Sequence, residues 1–400
     1  MATFRDIERR ALASIAELGH AELPLAAFFE QVNGVLRPVL GFDAGCWHSA
    51  DPVTGFLTST VADGLPPDGF EEAARLELWS DDATRFSSIR ESGLLADTVH
   101  RATGGRPEHS VRYRELLHDH RFRDELRMNL DVHGGRWGAA ALMRAGDTRP
   151  YTEREIRLAE RVARAVAGVL RGYAVPRPAP WADSSDVPAV LVVGPSGRLI
   201  SADPRAQALL AALSEEIRRP AGVPTAVVTV SGRARANAAA GRPDAPAWAR
   251  LRGPGGEWLS LHASLLDGRA DGCVAAVARP ASPTEVMPLT LLAHRLTTRE
   301  REVALLAVRG RSTQEIAAAL FLTPATVQDH LKSVFTKTGV RSRRELVALL
   351  TAPHADSLRR PPASPPALPP TAVPPAPPVR SAPAAPARGG TMITLRGSRR

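Results

Sequence analysis

Three polar side chains in the segment "TPATVQDHLKSVFTKTGV", residues 323–340, have the chemistry needed to read DNA base edges. The amide of Gln328 can pair with N6 and N7 of adenine, and the carboxylate of Asp329 can accept from N4 of cytosine. The ammonium of Lys332 can donate to guanine or to a phosphate. The alternative is an ordinary solvated face, because surface helices also carry polar residues opposite an apolar stripe.

The elements around this segment favour the first interpretation. Four helix starts follow one another between Leu296 and Leu350: three are capping boxes, and the fourth is a Thr followed by Pro at the first helical position. They predict helices over about 298–308, 313–320, 324–337 and 343–351. Only Phe321 to Thr323 separate the second helix from the third. Such a short turn predicts a helix-turn-helix, whose second helix enters the major groove.

Positive charge is concentrated at the same end of the chain. The net charge is +9, of which residues 294–350 carry +5 and residues 351–400 carry +6, so the first 293 residues sum to −2. A basic region that includes a predicted helix-turn-helix indicates a polyanionic partner, and the helix geometry fits double-stranded DNA.

The stretch "LTTREREVALLAVRGRSTQEIAAALFLTPATVQDHLKSVFTKTGVRSRRELVALL", residues 296–350, resembles the DNA-binding domain of the LuxR/GerE family of transcription regulators. Its "LTxREREV", "EIA", "TV..H" and "GV.SR.EL" patterns occur in order and at the family's spacing. The resemblance implies an all-α, four-helix, LuxR-type helix-turn-helix domain over residues 291–352.

The resemblance also implies roles for single residues. The helix from Pro324 to Lys337 would be the recognition helix. Base edges would face Gln328, Asp329 and Lys332, phosphates would contact Thr323, Thr326 and Lys337, and a second chain would contact Leu346 and Leu350. Many members carry Lys or Arg where Gln328 stands, so a different base preference is expected. For His330, packing or capping is at least as good an interpretation as a DNA contact.

Breaks in composition divide the rest of the chain. Alternating prolines predict a linker over residues 176–186, and "ARPASPTEVMP", residues 278–288, predicts a second break. Residues 353–400 are dominated by Pro, Ala and Arg and predict an extended, disordered tail, since they offer little apolar bulk for a core.

The segment that ends near residue 175 closes with "GRWGAAALMR" and "RPYTEREIRLAERVARAVAGVLR", which predict a buried strand, a loop and a long capped helix. This order is similar to the end of a GAF domain. The resemblance implies an α/β sensor domain over residues 1–175 with a small-molecule pocket. Trp47, Trp79 and Trp137 are candidate pocket residues, with core packing as the alternative.

Residues 187–282 predict a second α/β domain. "PAVLVVGPSGRLISADPRAQALL" is typical of strand, glycine turn, strand and helix, "RLRGPGGEWLSLHASLL" of a hairpin, and "GCVAAVA" of a closing strand. The order resembles a PAS domain. Residues 211–247, rich in Ala and Arg, permit no assignment.

Other reactive residues do not predict an enzyme. His118, His120, Glu125 and His133 lack a recognised metal-ligand spacing, so solvated or packing histidines are the favoured interpretation. Cys46 could be a redox cysteine, although a lone Cys on a strand is more often a core residue. The sequence carries no P-loop, phosphoacceptor or haem motif. We therefore expect no catalytic residue, no metal and no cofactor.

Together these patterns predict a sequence-specific transcription regulator, dimeric on DNA and controlled by an unknown small-molecule ligand or a partner at its N-terminal domains. RNA polymerase is a further candidate partner. No apolar run approaches the length of a membrane span, and we expect a cytoplasmic, nucleoid-associated protein. The alternatives are an interaction scaffold with a degenerate DNA-binding head and, less favoured, a redox enzyme in the GAF-like domain.

Overall fold

The computed structural model describes residues 3–351 except 22, 66–68, 147, 175–186, 217–222, 268 and 270. The predicted linker and the predicted Pro-rich tail therefore lie outside the described residues. Contacts group Met1–Ser357 into one compact unit.

The N-terminal region is built on a five-stranded antiparallel sheet in the order β2-β1-β5-β4-β3. Its strands are β1 (Ala44–Ala50), β2 (Leu57–Asp63), β3 (Ala96–Thr98), β4 (Phe122–Val132) and β5 (Gly135–Ala145). The helices are α1 (Phe4–Leu18), α2 (Leu25–Leu40), α3 (Gly69–Trp79), α4 (Phe86–Glu91), α5 (Val99–Ala102) and α6 (Glu153–Tyr173), with short 3-10 and π turns at Pro107–His109 and Tyr113–Leu117.

Helix α6 and strand β5 are among the elements that the sequence pattern predicts in this region. Thr152 and Glu155 form the capping box of α6, and its buried side chains recur at helical spacing on the face toward the sheet. Strand β5 pairs with β4 through a two-residue turn, His133–Gly134, with positive φ at both positions.

The middle region is a second five-stranded antiparallel sheet in the order β7-β6-β10-β9-β8. Its elements are β6 (Ala189–Val193), β7 (Leu199–Ala202), α7 (Pro204–Glu216), α8 (Thr225–Ala239), β8 (Trp248–Arg252), β9 (Trp258–Leu265) and β10 (Val274–Pro280). The predicted order of strands, helix and hairpin is confirmed. Helix α8 is new, because it falls in the stretch that the sequence left unassigned.

The C-terminal region is helical. It contains α9 (Pro283–Ala293), α10 (Thr298–Val308), α11 (Thr313–Leu320), α12 (Pro324–Thr338) and α13 (Arg343–Thr351). The last four confirm the predicted helices. The segment 278–288, predicted as a break between domains, contains the end of β10 and the start of α9, where Ser282 and Glu285 form a capping box.

Buried polar contacts join the three regions. The carboxylate of Asp51, after β1, receives two hydrogen bonds of 2.9 Å from the guanidinium of Arg250 on β8, and both side chains are buried. Arg250 also donates to the carbonyl of Glu285 on α9. The hydroxyls of Thr60 on β2 and Thr225 on α8 lie 2.9 Å apart. The helical region is therefore tied to both sheets.

None of the helices among the described residues combines the length and the apolar character that crossing a membrane would require.

Candidate nucleic-acid interface

Local hydrogen bonds fix the start of α12. The hydroxyl of Thr323 accepts from the backbone N–H of Thr326 at 3.2 Å and lies 2.9 Å from the Thr326 hydroxyl. Pro324 occupies the first helical position, and Gly339 ends the helix with a φ of 73°. Thr323 and Thr326 thus stand where the first turn of α12 meets solvent, as a phosphate contact would require.

Helix α12 divides into a buried and an exposed face. Val327, Leu331 and Val334 are buried, whereas Gln328, Asp329 and Lys332 are all exposed. Lys332 is the i+4 neighbour of Gln328 and the i+3 neighbour of Asp329, so the three polar side chains form one contiguous surface. The structure thereby brings together the three residues predicted to read base edges.

Apolar packing holds this surface in place. The cluster that fixes α12 against α10 and α11 consists of Val303, Ala307, Ile316, Ala317, Val327 and Leu331. The turn between α11 and α12 runs through Phe321, which has a φ of 57° and is 96% exposed. Because the turn is only three residues long, α12 crosses α11 sharply and presents its outer face.

Lys337 differs from the other predicted contacts. Its ammonium lies 2.7 Å and 2.8 Å from the carboxylate oxygens of Glu300 at the start of α10. Burial alone would raise the pKa of Glu300, but hydrogen bonds from Lys337 and neighbouring groups lower it to about 2. Lys337 therefore forms an ion pair within the domain, and a phosphate contact would compete with that pair.

Leu346 and Leu350 do not lie on a free surface. They are 0% and 1% exposed and belong to an apolar cluster that includes Met287 and Leu291 of α9. In this arrangement neither side chain is available to a second chain, which corrects the expectation from sequence for these two residues. The physical reason is α9, which packs on the face of α13 that the sequence leaves open.

Two further side chains of α12 have local partners or partial burial. Thr338 is buried and donates to the carbonyl of Val334 at 2.7 Å. Its hydroxyl is thereby satisfied within the helix. His330 is half-buried beside the exposed face, so either role considered for it remains compatible with its position.

Side chains that sequence reasoning did not select lie beside the exposed face. Thr313, Thr336 and Arg343 line the same shallow hollow as Gln328 and Lys332. The basic run at residues 341–344 is the sequence feature that points to Arg343, and the net charge by itself does not single that residue out. The others become visible only once α11 and α13 are placed beside α12.

The histidine-rich segment does not form a cluster. Glu125 is buried and receives hydrogen bonds of 2.5 Å and 2.8 Å from Arg112, while His118 is exposed on another element. Within the described ranges no group of three or more His, Cys, Asp or Glu could hold a metal ion. Burial raises the pKa of the Cys46 thiol to about 12, so the thiol stays protonated near neutral pH, unlike a reactive cysteine.

Comparison with known proteins agrees with this geometry. A family model described as "GerE: Bacterial regulatory proteins, luxR family" matches residues 294–350. The spore germination protein GerE of Bacillus subtilis (strain 168) is 44% identical over 55 residues, which are 14% of this chain and 74% of GerE. A relative from Mycobacterium tuberculosis (strain ATCC 25618 / H37Rv), whose name proposes an HTH-type transcriptional regulator, is 48% identical over 52 residues. Those residues are 13% of this chain and 6% of the relative.

Among solved structures, the crystal structure of the phage VqmA-DPO complex is 18% identical and covers 46% of this chain and 85% of its own. Its TM-score of 0.23 is too low to relate the two overall arrangements. The helical C-terminal region, by contrast, covers most of GerE at high identity. The chain therefore belongs to the luxR family of bacterial regulatory proteins.

Proposed function

We propose that this protein is a sequence-specific transcription regulator that binds double-stranded DNA as a homodimer through α12. The observation that carries the proposal is the single exposed surface of Gln328, Asp329 and Lys332 on a capped helix-turn-helix. In this role Gln328 pairs with adenine, Asp329 accepts from cytosine, and Lys332 donates to guanine or phosphate. Thr323 and Thr326 anchor the start of the helix to the backbone.

Dimerisation is part of the proposal but uses different side chains from those predicted. Because Leu346 and Leu350 are buried, the outer face of α13 would supply the contact. That face carries Arg344 and Ala348, which are exposed, and Val347, which is half-buried. An isologous pair of such faces would place two copies of α12 on successive half-sites of a roughly palindromic operator.

The N-terminal GAF-like and PAS-like regions would control DNA binding through a small-molecule ligand or a partner. The support is the buried contact of Asp51 with Arg250 and of Arg250 with the carbonyl of Glu285, which links both sheets to α9. Since α9 packs against α13, a ligand with different affinities for two arrangements of the sheets would change the placement of the DNA-binding helices.

The remaining assignments follow from this role. The protein would act at the nucleoid in the cytoplasm, without catalysis or a cofactor. RNA polymerase would be its further partner. The fully exposed ring of Phe321, beside α12, is an apolar side chain well placed for a contact outside the chain.

Selection of bound fragments from random duplex DNA, at about 150 mM salt to suppress nonspecific binding, tests the proposal. We expect one enriched motif, and we expect Gln328→Ala/Lys332→Ala to weaken binding to it by about tenfold or more. The matched control is Arg299→Ala/Glu302→Ala, which removes an exposed ion pair on α10 and also changes two side chains. That control should keep the motif and the affinity.

Binding without sequence preference that survives the double substitution would contradict the proposal and support the scaffold alternative. A motif without dyad symmetry, bound by one chain, would contradict only the proposal that the protein binds DNA as a dimer.

A further inference from the structure

A cavity that is partly open to solvent lies between the first sheet and a helix of the middle region. Its volume is about 320 Å³, near the lower end of the range of small-molecule sites. Cys46 and Phe122 belong to the sheet side, Ala74 and Leu78 to α3, and Val228 to α8. The cavity is therefore complete only when the N-terminal and middle regions are in contact.

Most of its wall is apolar. The apolar side chains that line it include Phe56, Leu57, Leu65, Leu78, Phe86, Leu116, Leu117, Phe122, Met143 and Val228. Trp47, Trp79 and Trp137, the candidate pocket residues from sequence, do not line it, and Trp47 and Trp137 belong to the core on the other face of the sheet. An apolar body of a few carbon atoms suits such a wall.

Of the described residues in this wall, two arginines have incomplete hydrogen bonds: Arg136, at Nε, and Arg127 on β4, at two nitrogens. The Arg127 side chain is 2% exposed. Nη2 donates to Glu77 at 2.7 Å, and the guanidinium stacks 3.8 Å from the ring centre of Phe86. Nε and Nη1 have no hydrogen-bond partner among the described residues, and the nearest carboxylate oxygen, on Glu125, is 3.6 Å from Nη1. Buried donors without an acceptor are costly, so an acceptor is expected to meet them.

The charge of the wall specifies which acceptor. Six arginines line the cavity: Arg85, Arg90, Arg112, Arg127, Arg136 and Arg233. Three of them pair with the carboxylates of Glu77, Glu125 and Asp131. Six arginines in the lining against three paired carboxylates leave a formal excess of three positive charges. A largely apolar cavity with such an excess favours an anion over a neutral acceptor.

We propose that this cavity binds a small organic acid with an apolar body, whose carboxylate accepts hydrogen bonds from the open N–H groups of Arg127. The inference rests on the proposed ligand control of DNA binding and names the ligand class and the site. The carboxylate replaces the missing acceptor, and the apolar body lies against Phe122, Leu78 and Val228.

The site also places a bound ligand in contact with the middle region. Helix α8 is one wall, and at Gly232 it packs so closely on α3 that an added Cβ would lie 2.4 Å from Leu78. A chain of side-chain contacts crosses the same boundary. Cys46 Sγ lies 3.3 Å from His48 Nε2, His48 Nδ1 lies 2.8 Å from Thr60 Oγ1, and Thr60 meets Thr225 at the start of α8. An occupied cavity would therefore favour the arrangement in which α8 is docked.

Isothermal titration calorimetry of the full chain with two acid and amide pairs tests the site: phenylacetate against phenylacetamide, and hexanoate against hexanamide. We expect one molecule of at least one acid to bind per chain, about tenfold or more tighter than its amide, because only the acid forms charge-assisted hydrogen bonds. Arg127→Met should weaken acid binding by a similar factor. Arg123→Met, an exposed arginine on the same strand and outside the cavity, is the matched control and should bind normally.

Arg127→Met leaves Glu77 without its ion-pair partner, so a second variant guards against misfolding. Ala74→Phe fills the cavity from a half-buried position on α3 and leaves the ion pairs intact. It should abolish acid binding while the far-UV circular dichroism of the chain is unchanged. Failure of both acids to bind, equal binding of the amides, or normal acid binding by Ala74→Phe would each overturn the proposed site.

Affinity for the selected DNA motif, with and without saturating acid, separates this proposal from the general function. If no acid binds while the DNA motif is still recognised, the proposed acid site is wrong and the proposed DNA-binding function is retained. If an acid binds as expected but the DNA affinity is unchanged, the acid site is retained and the proposed control of DNA binding by the ligand is wrong.

Discussion

The DNA-binding region and the first sheet place their charged groups in opposite ways. In α12 the side chains proposed to read bases, Gln328, Asp329 and Lys332, are exposed, and the buried side chains that hold the helix are aliphatic apart from Thr338. In the first sheet the carboxylates of Asp51 and Glu125 are 0% exposed, and each is paired with a buried arginine. The DNA-binding helix exposes its polar side chains above an apolar core, whereas the first sheet buries its charged pairs.

This difference separates stability from recognition. A surface side chain can be removed at little cost in folding, so its loss reports on binding. A buried ion pair is expensive to break, since the remaining charge stays desolvated. The two regions should therefore respond differently to substitution.

The largest effect is expected at Asp51, where the charge network joins the regions. Asp51→Asn keeps an acceptor for the turn at Val53 but leaves the guanidinium of Arg250 buried without a counter-charge. We expect a loss of about 3–5 kcal/mol in the free energy of unfolding, measured by chemical denaturation of the full chain.

Asp271→Asn is the control for that measurement, because it breaks an exposed pair with Arg269 and should leave the free energy of unfolding nearly unchanged. Adding Arg250→Met to Asp51→Asn should recover part of the loss, since no charge is then buried alone. Equal stability of Asp51→Asn and Asp271→Asn would contradict the distinction between the regions.

Glu300 is the buried carboxylate of the DNA-binding region. Its substitution is expected to have a smaller effect on stability than that of Asp51. Glu300→Gln loses the ion pair with Lys337 and weakens the capping box of α10. The folded pKa of about 2 lies below the ordinary 4.5, so the carboxylate contributes stability above pH 4.5 and loses it as the pH falls toward 2. The expected cost at pH 7 is about 1–3 kcal/mol, shrinking between pH 5 and pH 2.

Denaturant unfolding at pH 7, 5 and 3 measures this dependence, with Glu302→Gln as the exposed control on the same helix. A difference between wild type and Glu300→Gln that stays constant across that range would show that the ion pair is not its source.

The helices of the DNA-binding region could be predicted from sequence nearly to the residue because each begins with a local cap and needs only its own periodicity. Helix α12 extends one residue past its predicted end at Lys337. Helix α8 could not be predicted, because its residues from Thr225 to Ala239 are buried on several sides and show no polar stripe. Burial around α8 depends on two sheets, which no local pattern records.

The difference between local sequence patterns and contacts between distant elements also explains which site residues could be predicted. Gln328 and Lys332 are visible from sequence because an exposed polar face is a property of one helix. The missing partners of Arg127 depend on β4, α3 and α4 meeting in space. For Leu346 and Leu350 the family resemblance implies a dimer contact, whereas their burial depends on α9, which begins inside the segment that the sequence predicts as a break.

The smallest effect on stability, and the sharpest on recognition, is expected at Lys332. Its side chain is exposed and has no hydrogen bond or ion pair within the described chain, so Lys332→Ala should change the free energy of unfolding by less than about 0.5 kcal/mol. If its ammonium meets a phosphate, the slope of log affinity against log salt should fall by about 0.9, and all sequences should lose affinity alike. If it meets guanine, the slope should change little and one position of the motif should relax instead. Affinity titrations at four salt concentrations, on the selected motif and on single-base variants, separate these outcomes. No change in either quantity would remove Lys332 from the interface and leave the face of α12 to Gln328 and its neighbours.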